Sequence, residues 1–225
     1  KKLVFISFIT FLFSQQAQQT LTHDTGQGAH PSIVQVSTNV FAVAYHGDNG
    51  KGVIKTFTIA SDGLTITENQ ELQHDGSKAK YNSFIQVDSD TYLLAYEGGS
   101  NDGFIKTFTI PSTGNSITQV TSVEHDNAYG KHNSLVKIDS DTYALAYESS
   151  DNDGHVATFT VSSDGTTLTE VGSVEYTTDD GENNAFVQVD SDTYALLYHG
   201  DSNGGIITSF TIASNGTVTD LGTVV

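Results

Sequence analysis

Cysteine is absent from the 225 residues, so no disulfide can staple the chain, and neither a zinc–thiolate site nor a thiol nucleophile is available. Methionine and tryptophan are absent as well, and only two prolines occur. Basic residues are scarce, 9 against 27 acidic ones, for a formal net charge of −18. Such a field repels a phosphate backbone or an anionic lipid surface, which argues against nucleic acid and against membrane binding. Divalent cations and neutral ligands stay open. Long apolar runs are also missing. The longest, residues 3–13 (LVFISFITFLF), is about half what a bilayer-spanning helix needs.

That short run has its own reading. Lys1 and Lys2 precede it, and residues 14–19 (SQQAQQ) form a polar exit with Ala17 as a cleavage point. The order basic, apolar, small and polar is that of an export signal. Residues 1–19 are therefore expected to be a signal peptide. Residues 20–225 are expected to act outside the cell or at its surface, with no membrane insertion after cleavage.

What dominates the rest is repetition. Tyr45, Tyr96, Tyr147 and Tyr198 are spaced by 51, as are Phe57, Phe108, Phe159 and Phe210, and Gly63, Gly114, Gly165 and Gly216. The units are 31–81, 82–132, 133–183 and 184–225, without insertion or deletion. Each reads as four strands. In the second unit these are strand A (83–87), strand B (91–97), strand C (104–110) and strand D (roughly 116–125). The residues are those a pleated surface favours, bounded by Asp, Asn, Ser and Gly turns. Strand B is apolar on both faces (TYLLAYE), as only a sheet covered on both sides would want. Strand C reads as less buried. Strand D breaks its alternation and is expected to carry a bulge. The fold class is all-β, a β-propeller-like array of four-stranded antiparallel blades.

In length and strand order the unit resembles the kelch-like and WD-type propeller repeats of secreted bacterial proteins. The resemblance spans residues 20–225. It is not motif-deep: of the kelch Gly-Gly after the second strand only Gly98-Gly99 is present, and the Trp of both families is lacking. It implies a fold and no substrate. The chain stops inside a strand D and has no methionine, so it is expected to be truncated at its C-terminus. The lone segment 20–24 aligns with a strand D and is expected to pair with a sheet.

Strand order places the D–A and B–C loops on one face of the blades, and those loops vary. Three constellations lie there. The first is His23-Asp24, His74-Asp75 and His125-Asp126 at the end of strand D, replaced in the fourth copy by Tyr176-Thr177. Its neighbours Tyr81, Asn82, Tyr129, His132 and Asn133 offer stacking and hydrogen bonding to a sugar. The second is the collar His46, Glu97, Glu148 and His199, two imidazoles and two carboxylates that suit a divalent cation or simply meet water. The third is the acidic B–C loop, with Asp48, Asp102, Asp151, Asp153 and Asp201 as weak Ca²⁺ ligands or plain turn residues. No other cofactor is suggested. Near-identical blades suit repeated binding better than catalysis, which needs unlike groups converging on one atom. The expectation is thus a non-enzymatic binding or adhesion module for carbohydrate or a surface protein. A spacer repeat, or the propeller part of a secreted hydrolase, is the alternative.

Overall fold

The computed structural model describes residues 19–201 and 204–223. The export-signal reading of residues 1–19 falls almost wholly outside them. Sixteen strands form four separate four-stranded antiparallel sheets, each in simple sequence order. Blade 1 is β1 (Ala29–Gln35), β2 (Val40–His46), β3 (Gly52–Ile59) and β4 (Ile66–Asp75). Blade 2 is β5 (Lys80–Gln86), β6 (Thr91–Glu97), β7 (Gly103–Thr109) and β8 (Thr118–Asp126). Blade 3 is β9 (Lys131–Lys137), β10 (Thr142–Glu148), β11 (Gly154–Val161) and β12 (Leu168–Thr177). Blade 4 is β13 (Glu182–Gln188), β14 (Thr193–His199), β15 (Gly205–Ile212) and β16 (Val218–Thr223). Strand B of the second unit falls where the sequence put it. Strand A begins earlier, two residues ahead of each unit boundary.

The first strand of each blade is innermost: β1 packs on β5, β5 on β9 and β9 on β13. Blades stack by setting a small face against a large one. Ala42, Ala44 and Ile54 of blade 1 meet Tyr92, Leu94, Tyr96 and Phe108 of blade 2. Leu93, Ala95 and Ile105 of blade 2 meet Tyr143, Leu145, Tyr147 and Phe159 of blade 3. Ala144, Ala146 and Val156 of blade 3 meet Tyr194, Leu196, Tyr198 and Phe210 of blade 4. Alternating volume across a seam is how two pleated surfaces reach interior packing density. Tyr45, Tyr96, Tyr147 and Tyr198 are all buried, as expected of strand B.

Hydrogen bonds repeat across each seam with the same period. Ser32, Ser83 and Ser134 accept from the backbone N–H of Phe84, Leu135 and Phe186 at 2.9–3.0 Å. Thr56, Thr107 and Thr158 donate to the carbonyls of Gly114, Gly165 and Gly216 at 2.6–2.7 Å. Those glycines sit at φ between +66° and +82°, the left-handed backbone that glycine adopts without steric cost. The turn this makes brings each carbonyl against the preceding blade.

Two expectations change, and a third is met. Strand C is not the less buried one: β7 is mostly buried, Lys106 included, because blades cover it on both faces. Lys106 reaches this position by donating Nζ to the His74 carbonyl at 2.8 Å. Residues 20–24 form no strand; His23 instead packs edge-on to Tyr45 at 4.6 Å and accepts from Lys55 through its carbonyl. The irregularity expected of strand D is a register shift on the C–D pair of every blade, just ahead of Phe57, Phe108, Phe159 and Phe210.

Among the described residues β13 does not pack on β1 as the other inner strands pack on each other, so the four blades form an open arc. Its two end faces stay apolar. On blade 4, Val187, Leu197 and Ile207 are at least half exposed. On blade 1, Ile33, Phe41, Val43, Phe57 and Ile59 line a shallow hollow of about 140 Å³.

Candidate functional site

One feature recurs at the inner rim of every blade. His30, Tyr81, His132 and Asn183, each 51 residues after the last, have φ of +51° to +54°. This region is rarely entered by residues with a Cβ and is held only where the surroundings enforce it. Each lies at a register shift between the first two strands of its blade, where one extra residue is inserted. The bulge re-aims the side chain along the inner rim. The result is a row of rings across three blades: His30 to Tyr81 is 4.6 Å between centroids and Tyr81 to His132 is 4.3 Å.

The collar residues stand behind this row. Register pairs His46 with Ala29, Glu97 with Lys80, Glu148 with Lys131 and His199 with Glu182. Glu97 and Glu148 are buried and each holds a lysine, Lys78 at 2.8 Å and Lys131 at 2.6 Å. Burial holds His30, His46 and His132 below the ordinary imidazole value, and it raises the Tyr81 phenol, with Glu97 adding to that. These imidazoles are therefore neutral at pH 7, and His46 Nδ1 accepts from the Ala79 N–H at 3.3 Å. The rim carries Lys78, Lys80 and Lys131 against Glu97, Glu148 and Glu182, a local balance in an otherwise acidic chain.

The asparagines predicted to bind ligand have a different role. The Asn82 amide donates to the carbonyls of His30 and Ala79, Asn133 to those of Tyr81 and Gly130, and Asn184 to those of His132 and Gly181. Each asparagine thus ties down the left-handed residue of the preceding blade. Asn133→Ala leaves two carbonyls unpaired and is expected to cost about 1–3 kcal/mol. Chemical denaturation checks this, and a change within error would show that water replaces the amide.

His74 and His125 also leave the candidate site. Their rings pack edge-on to Tyr96 and Tyr147 at 4.9 and 4.6 Å, and their ring nitrogens are sealed from solvent without a hydrogen-bond partner. The neighbouring Asp75 and Asp126 cap the next turn through the N–H groups two and three residues on, and Asp75 Oδ2 also accepts from the Tyr96 hydroxyl at 2.9 Å. Of the seven predicted ligand residues, the fold brings only Tyr81 and His132 together on the rim. Tyr129 lies beside them under the Lys131 ammonium, 4.4 Å from its ring. Sequence reading passed over His30, Asn183 and Glu182. His30 and Asn183 share the period of Tyr81 and His132, but their left-handed backbone is visible only in the fold, and Glu182 stands one position ahead in the place of Lys80 and Lys131.

The B–C loops are single 3₁₀ turns after β2, β6 and β10. Among the described residues, only Asp153 of the five loop aspartates falls in a group of three metal-competent side chains, with His155 and Glu175. Asp48 instead lines, with Asp24, Lys55, Glu68 and Glu71, a polar cavity of about 440 Å³ between residues 22–25 and blade 1. That cavity flanks the open end of the arc and holds none of the rim residues.

No family model and no curated protein matches this chain. Solved structures do. A protein from Lactobacillus plantarum matches with a TM-score of 0.64 at 16% identity, over 88% of this chain and 57% of that one. The exo-β-1,3-galactanase of Phanerochaete chrysosporium gives 0.54 at 15%, over 92% and 53%. An endo-1,4-β-xylanase of Bacteroides thetaiotaomicron gives 0.55 at 16%, over 89% and 77%. The fold is propeller-like. At such identity the likeness extends to the fold alone, and this propeller-like chain spans little more than half the length of the first structures it matches. The comparison corrects one expectation. Several structures with this architecture are glycoside hydrolases, so near-identical blades give no ground for excluding catalysis. The propeller scaffold accommodates unlike groups on loops and rims while its strands stay regular.

Proposed function

We propose that this chain is an exported propeller-like module that binds a neutral carbohydrate at the inner rim. The observation that carries the reading is the row His30–Tyr81–His132, set by left-handed backbone in three successive blades and held by Asn82, Asn133 and Asn184. A pyranose ring presents a face of C–H groups that packs on aromatic rings, and hydroxyls at its edge that need both donors and acceptors. The rim supplies rings, and flanking lysines and carboxylates in equal number. The local charge balance favours a neutral ligand, while the acidic remainder of the chain repels polyanions.

The test is calorimetric titration with neutral soluble polysaccharides, set against a polyanionic one. Binding is expected with at least one neutral polymer. Tyr81→Ala removes the central ring and is expected to weaken that binding at least about tenfold, since buried aromatic anchors carry most of a small interface's energy. The melting temperature should move little, because Tyr81 lies on the rim rather than in a seam. Binding unchanged by Tyr81→Ala, or confined to the polyanion, would remove this reading.

A further inference from the structure

The fourth blade breaks the repeat at one charged position. Lys80 and Lys131 stand at the start of the inner strand in blades 2 and 3, and Glu182 takes that place in blade 4. The inversion brings a second carboxylate up to the buried Glu148 of blade 3. We propose that His132, Glu148 and Glu182 form a binding site for a divalent transition-metal ion of the Zn²⁺ class, bridging blades 3 and 4.

One donor atom from each of the three lies within 4.8 Å of the others. His132 Nε2 and Glu148 Oε2 are 3.5 Å apart. Two ligands on a tetrahedral ion, with bonds of about 2.0–2.1 Å, sit roughly 3.3 Å apart, so this pair needs almost no movement to close on a metal. The second observation concerns Glu148 itself. Its side chain is fully buried. Oε1 accepts from Lys131, whereas Oε2 is sealed from solvent with no hydrogen-bond partner and faces His132. A buried carboxylate oxygen left without a donor is costly, and a cation at that point satisfies it. Lys131 stays on Oε1 and leaves Oε2 to the ion.

The remaining groups fit a coordination shell. Glu182 has Oε2 3.6 Å from Nδ1 of His199, its register partner on β14, which places an imidazole where outer-shell partners of metal ligands stand. One imidazole and two carboxylates suit zinc, cobalt or manganese, whereas Ca²⁺ asks for six to eight oxygens. A three-ligand set leaves a position open to water or a ligand hydroxyl, beside the ring of His132. The only other such group among the described residues, Asp153, His155 and Glu175, has no sealed orphan atom and includes an exposed carboxylate. The proposal stands on the donor geometry and does not depend on the carbohydrate reading.

The experiment is calorimetric titration of Zn²⁺ into chelator-stripped protein, with Co²⁺ absorption as a second readout of coordination. One ion per chain is expected, with visible Co²⁺ bands of a four- or five-coordinate centre. Glu182→Lys restores the residue of the earlier units at a partly exposed position, so it should fold, as its melting curve in EDTA will show. It is expected to weaken Zn²⁺ binding at least about a hundredfold, beyond the outer-shell range. Asp153→Asn should leave the affinity unchanged, which separates this site from the second acidic group. Absence of one-to-one binding, an unaltered affinity in Glu182→Lys, or loss on Asp153→Asn would each overturn the proposal.

Discussion

Acidification from pH 7.5 to 5 is expected to remove about 4 kcal/mol of folding stability through two histidines alone. Burial lowers His74 to about 3 and His125 to about 4, from 6.5. The unfolded chain therefore takes up protons first as the pH falls. Stability from these groups is fully present above about pH 7 and is lost as the pH drops through 6.5 toward 4. At pH 5 each histidine contributes a loss of about 2 kcal/mol. Urea denaturation at a series of pH values measures this, and a flat profile between 7.5 and 5 would show that water reaches these rings.

The third blade supplies the control. Tyr176 takes the place of His125 there, and its hydroxyl donates to Asn184 Oδ1 at 2.7 Å. The matching Oδ1 of Asn133 is buried without a partner. Both rings lie on a glycine floor, since a Cβ on Gly103 would come within 2.4 Å of the His125 ring and one on Gly154 within 2.3 Å of the Tyr176 ring. Gly130 and Gly181 leave room for the hydroxyl at the same point, whereas Ala79 crowds it beside His74. His125→Tyr is thus expected to fold, to gain about 1 kcal/mol at neutral pH from the new hydrogen bond, and to lose about half of the acid sensitivity. His74→Tyr should not be tolerated as well. Equal effects of the two would mean that Ala79 yields.

The other large effect lies in the seams. Phe108 is fully buried between blades 1 and 2, with Phe84 and His74 edge-on to it at 6.4 and 5.9 Å. Phe108→Ala is expected to cost about 3–5 kcal/mol, the range for emptying an aromatic site that cannot collapse. Leu197→Ala makes the contrast. Ala44, Ala95 and Ala146 hold the same repeat position and are fully buried, while Leu197 is 53% exposed on the open face of blade 4. Its truncation should change stability by no more than about 0.5 kcal/mol. A large loss at Leu197 would show that this face is covered in solution.

Period and alternation by themselves determined the blades. The spacing of the strand B tyrosines, the two-sided apolarity of TYLLAYE and the Asp-Ser-Asp turns each follow from local rules, since a strand's neighbours in its own blade are its neighbours in sequence. The same locality explains the strand D irregularity, which a broken two-residue period announces. What the chain alone did not decide is which polar residues face inward. His-Asp at the end of strand D reads as a reactive pair, yet the imidazole is sealed against a tyrosine ring and the carboxylate caps the next turn. Asn82 and Asn133 read as ligand contacts, yet their partners lie 52 residues back on another blade. His30, Asn183 and Glu182 join Tyr81 and His132 only because a bulge turns each inner strand at its start. A bulge depends on pairing with the next strand and on a clamp from the next blade, and neither contact is written in the residues that carry it.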